Sequence, residues 1–168
     1  MSSIASQLIM TESGDLLRSS VVTYNSSNHS IEYAGIFDGV HEKANTIYYD
    51  GVISPPIVSL VACDFDCRVS DKFTYIDLIA YPNPLLDPAQ MYVFDIRTQD
   101  PVELSHYLSE NFHLFTHLSI SQLIAAFTSY PAQVYQPAST STRLLWQHLN
   151  LIDKRITPIT KISVIDLF

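Results

Sequence analysis

Short runs of β-branched and aromatic residues, punctuated by turn-forming clusters, fill the first half of the chain and constrain its fold more than any other feature. The runs are Leu8–Met10, Ser20–Tyr24, Ile31–Phe37 and Asn45–Tyr49, separated by Ser13-Gly14-Asp15, by Asn25 to Ser30 and by Asp38-Gly39. Side chains of this kind pack well on a pleated surface, and Gly, Asn, Asp and Ser supply the turn conformations between them. This spacing predicts a meander. Ile57–Ala62 is almost wholly apolar, which suits a strand buried on both faces or at the edge of the core. Phe73–Tyr81 predicts a further strand, broken by Pro82-Asn83-Pro84, because proline has no N–H to donate to a ladder.

The pattern then changes to helical. Asp100 stands as N-cap, Pro101 at the first helical position and Glu103 in the first turn, a set that satisfies or complements the free N–H groups there. Leu104, Leu108 and Phe112 continue it as one apolar face. A second start follows at Ser119, with Gln122 three residues on as in a capping box, and Ile120, Leu123, Ile124 and Phe127 mark its buried side. Pro131 is expected to stop this helix. Gln136–Thr142 is small and polar between apolar segments and reads as a connector.

Composition fits one compact domain over residues 1–168, since 47% hydrophobic and 15% charged residues leave ample apolar material for a core. The strand-rich part spans 1–81, the helical part 100–130, and closing strands 142–166. A formal charge of −8, with only nine Lys and Arg, argues against nucleic acid and anionic membrane surfaces, whose binding rests on clustered cations. No apolar run reaches the length of a membrane span, and Met1-Ser2-Ser3-Ile4 has no basic region leading into an apolar one. The expectation is a cytoplasmic, acidic protein. Ten Tyr and eight Phe are more than a core of this size evidently needs; ordinary core aromatics are the plainer reading, and a surface for a homodimer or another protein partner is the alternative.

The segment Tyr49–Cys63 resembles the entry to the active site of the amidohydrolase superfamily, the metal-dependent deaminases and cyclic-amide hydrolases. There a proline-rich turn feeds an apolar strand that ends in a His-x-His pair. Pro55-Pro56-Ile57-Val58-Ser59-Leu60 is similar to that turn and strand, and the two histidine positions fall on Val61 and Cys63. A valine cannot ligate a metal, and one thiolate does not replace two imidazoles. The resemblance extends to Leu8-Ile9-Met10-Thr11, Ser20–Tyr24 and Ile31–Ile36, and to Leu144–Asp153 and Ile156–Ile165, which look like the opening and closing strands of the small sandwich beside the barrel in such enzymes. A complete (β/α)8 barrel needs roughly 250 residues, and the chain has 168. The resemblance implies an α+β fold: a composite β-sandwich or meander built from both chain termini, two or three helices, and no complete TIM barrel.

Catalytic constellations are sparse. By the resemblance, Asp95 in Tyr92-Val93-Phe94-Asp95-Ile96 stands where the family's last catalytic aspartate would fall, and a loop or cap carboxylate is the plainer reading. Cys63 and Asp64, with Asp66 and Cys67 beside them, are the other weak catalytic candidates, and free thiols are the plainer reading of the cysteines. His106 and His113 lie seven apart, near one helix face, and His117 follows; no carboxylate or cysteine joins them at ligand spacing. His41-Glu42 lacks the second histidine of a zincin helix, and His29 and His148 are isolated. The four glycines form no phosphate-cradling loop, and no Gly-x-Ser-x-Gly elbow occurs. No metal and no cofactor is expected. The sequence favours a non-catalytic, amidohydrolase-like remnant acting as a binding or assembly module. The alternative is a metal-dependent hydrolase, or a subunit of one, whose site a partner chain completes.

Overall fold

The computed structural model describes residues 3–25, 30–36, 46–55, 57, 71–98, 100–135, 142–146 and 159–163. The architecture is α+β. Eight strands are described: β1 (Ser3–Met10), β2 (Leu16–Asn25), β3 (Ser30–Ile36), β4 (Thr46–Ser54), β5 (Thr74–Asp77), β6 (Tyr92–Asp95), β7 (Thr142–Trp146) and β8 (Ile159–Ser163). Three α-helices lie between β6 and β7: α1 (Pro101–Asn111), α2 (Ile120–Phe127) and α3 (Ser129–Tyr135). No closed barrel occurs among the described residues.

A six-stranded mixed sheet has the order β3-β2-β1-β4-β7-β8, so strands from both ends of the chain share it. The pairings β1–β2, β2–β3, β4–β7 and β7–β8 are antiparallel. The expected meander holds only for its first three strands: β4 does not follow β3 but crosses back to pair in parallel with β1. That crossing makes β1 a central strand. Ile4, Ala5, Ser6, Ile9 and Met10 are all buried, and because successive side chains point to opposite faces, both faces of the sheet are covered along β1.

The turn from β1 to β2 is tied by its own side chains. Thr11 Oγ1 accepts from the Asp15 N–H at 3.0 Å, and Ser13 Oγ donates to Asp15 Oδ2 at 2.6 Å. Gly14 takes φ +93°, a conformation glycine adopts without the penalty a Cβ brings. The turn then docks on the helices: Ser129 Oγ donates to Thr11 O at 2.6 Å and Gln133 Nε2 to Glu12 O at 3.0 Å.

Both expected helix starts form, and of the expected buried side of α2 Leu123, Ile124 and Phe127 are buried while Ile120 is partly so. Asp100 Oδ1 accepts from Val102 N at 2.8 Å, Pro101 opens α1, and Leu104, Leu108 and Phe112 are buried. At α2 both halves of the capping box form, Ser119 Oγ accepting from Gln122 N at 3.2 Å and Gln122 Oε1 from Ser119 N at 2.9 Å. Pro131 behaves differently from its sequence expectation. The helix stops at Phe127, and Pro131 lies inside the first turn of α3. A helix continuous through Pro131 would bring the ring against the Phe127 carbonyl. The break falls upstream at Thr128, and proline is then tolerated where no intrahelical N–H is needed.

β5 and β6 form a separate two-stranded parallel sheet. β6 was not expected as a strand, and β5 is shorter than the expected Phe73–Tyr81. The helices pack on β6 through an aromatic cluster: Phe94 lies 5.5 Å from Tyr92, 5.5 Å from Phe115 and 5.3 Å from Phe127 between ring centroids. Phe73 meets Tyr130 at 5.0 Å. Buried aromatic contacts of this kind carry much of a core's energy; they hold β6 against α2, and the residue just before β5 against α3.

Candidate functional site

The parallel pair ends in two carboxylates. Asp77 is the last residue of β5 and Asp95 the last residue of β6, and the two are register partners. Side chains two apart along a strand share a face, so Tyr75 and Asp77 rise together and Asp95 points to the same side. Two adjacent carboxylates repel unless a cation or donors compensate them. Here both occur.

Arg97, two residues past Asp95, turns back over the pair. Its guanidinium reaches Asp77 Oδ2 through Nε at 3.1 Å and through a shorter contact from Nη2. Its main-chain N–H donates to Asp95 Oδ1 at 2.7 Å. Asp95 Oδ2 accepts from the Tyr75 hydroxyl at 3.2 Å, and Asp77 Oδ1 accepts from the N–H groups of Ile79 and Ala80, each at 2.9 Å. All four carboxylate oxygens are thus engaged. Arg97 holds φ 59°, in the left-handed region that non-glycine residues avoid at a cost of about 1–2 kcal/mol. Its bonds to both aspartates keep it there.

Burial alone would raise the pKa of Asp77. The hydrogen bond from Arg97, the Ala80 and Ile79 N–H groups and the Arg97 charge outweigh it and hold the carboxyl below its ordinary value. Arg97 is shifted upward, chiefly by its hydrogen bond to Asp77 and then by the Asp77 charge. Asp77 accepts from four donors, which occupies its lone pairs and makes it a weak general base, while each oxygen of Asp95 accepts one hydrogen bond. The cluster instead splices two loops: the Asp77 carboxylate ends β5 by capping the turn at residues 78–80 and anchors the chain that leaves β6.

Of the sequence candidates, Asp95 lies in this cluster. Asp95 is buried at 3% exposure as a strand-end carboxylate rather than in a loop. Cys63 and Asp64 lie outside the described residues, as do Val61, Asp66, Cys67, His29, His41 and His148. Against the expectation that no carboxylate joins the histidines at such spacing, Glu110 does: His106 Nε2 sits 3.3 Å from Glu110 Oε1 as an exposed pair one helical turn apart, since residues four apart share a helix face. His113 falls in the 3₁₀ turn Phe112–Phe115 that follows α1, so it does not continue the α1 face that carries His106. His117 is exposed beyond that turn. Among the described residues, no three His, Cys, Asp or Glu side chains are grouped to hold a metal ion. No helix among them is long and apolar enough to cross a membrane.

Sequence reasoning missed Asp77, Arg97 and Tyr75. The available signal was the two-residue spacing Tyr75-x-Asp77, which puts two polar side chains on one face of a strand, with Arg97 two residues past Asp95. Reading it required β6, which four residues of apolar pattern did not separate from a loop.

A second feature of this region is its connector. Between β5 and β6 the chain runs through Tyr81-Pro82-Asn83-Pro84-Leu85-Leu86, with Leu85 99% and Tyr81 69% exposed. It is anchored at its far end. Asp87 N donates to the Tyr92 hydroxyl at 2.7 Å, and Gln122 Nε2 donates to Pro88 O at 2.6 Å. Leu86 packs against the core, which leaves Leu85 turned to solvent.

Comparison of the chain with protein-family models, with curated proteins and with solved structures finds no match.

Proposed function

We propose that the protein is a non-catalytic binding or assembly module, an amidohydrolase-like remnant that acts in the cytoplasm. The observation that supports this reading is that every carboxylate oxygen of the Asp77–Asp95 pair already accepts a hydrogen bond from the protein itself. Asp95 is the catalytic candidate that falls among the described residues, and both its oxygens are bound to Tyr75 and Arg97. A group so held ties the ends of β5 and β6 together. The mixed sheet supports the ancestral part of the proposal, because it joins β1–β4 to β7 and β8 as the opening and closing strands of a composite sandwich would be joined. The exposed Tyr81 and Leu85, on a loop fixed at its far end and stiffened by prolines, support the binding part: ordered apolar side chains lose little entropy when a protein surface covers them. Self-association into a homodimer is the form of assembly this reading favours.

The test combines elemental analysis of the purified protein with light scattering over a concentration series. The expected result is no stoichiometric zinc, iron or manganese, together with a mass above that of one 18.9 kDa chain. Stoichiometric metal whose removal abolishes a measurable amide or amidine hydrolysis would overturn the reading in favour of an enzyme.

A further inference from the structure

We draw no further inference here: the strongest candidate, the exposed apolar loop Tyr81–Leu85 between β5 and β6, carries nothing beyond the binding role already proposed because nothing in the structure shows what covers it.

Discussion

Arg97 binds Asp77 through its guanidinium and Asp95 through its main-chain N–H, so one residue neutralises one carboxylate and satisfies its neighbour across a parallel strand pair. The arrangement explains how a parallel sheet of two four-residue strands, a marginal element by itself, ends in two adjacent aspartates. It also makes the cluster a stability device with a definite pH dependence.

Because Asp77 titrates lower in the folded protein than in the unfolded chain, its contribution is present above the ordinary carboxylate pKa of about 4. It is lost as the pH falls through the folded value. Asp77→Ala removes the acceptor for the Ile79 and Ala80 N–H groups as well as the Arg97 partner, and is expected to lower stability by about 1–2 kcal/mol at pH 7. Urea unfolding at pH 7 and at pH 3 checks this. The gap between wild type and variant should narrow at the lower pH, and an equal gap at both would show that the carboxylate's charge contributes nothing.

Gly14 and Tyr130 are matched in shape. A Cβ added at Gly14 would meet Tyr130 Cε1 at 2.6 Å, and the backbone there has φ +93°. Gly14→Ala is therefore expected to destabilise by about 2–3 kcal/mol, combining overpacking with backbone strain. In a double-mutant cycle with Tyr130→Ala, the clash component should disappear and the strain component remain. Strict additivity of the two changes would refute the contact.

Burial raises the pKa of Tyr107, and its hydroxyl is enclosed without a hydrogen-bond partner among the described residues. Tyr107→Phe removes a desolvated polar atom and should leave stability unchanged or raise it by about 1 kcal/mol. A folded pKa above the unfolded value of about 10 stabilises the protein below that pH and ceases to do so as the pH rises through the folded value. The variant should accordingly lose less stability than wild type between pH 9 and about 11, read by thermal unfolding. A loss of 2 kcal/mol or more at pH 7 would reveal a hydroxyl partner.

Leu85 is exposed and makes no contribution to the core. Leu85→Asp is expected to keep the unfolding free energy within about 0.5 kcal/mol of wild type while shifting light-scattering mass toward the single chain. A variant that associates as strongly as wild type would remove this loop from the proposed assembly surface.

Legibility followed the range of the interactions. Both helix starts could be read from the sequence because a cap acts over three residues: Asp100 with Val102, and Ser119 with Gln122. The stop at Thr128 was misplaced at Pro131, since proline's ring acts on the carbonyl four residues back and so moves the break upstream. The end of β5 escaped for a related reason. Asp77 closes the strand with its own carboxylate, accepting from Ile79 and Ala80, well before Pro82 is reached.

The sequence by itself determined the α+β class, the N-terminal strands and the capped, one-sided apolar helices, because each depends on neighbours within about one turn or one hairpin. Tertiary structure alone decided that β4 pairs with β1 rather than β3, that β7 and β8 complete the same sheet, and that Tyr75, Asp77, Asp95 and Arg97 meet. Strand partnership is chosen by which faces bury together across long stretches of chain, and no local pattern around Thr46 or Tyr92 records that choice.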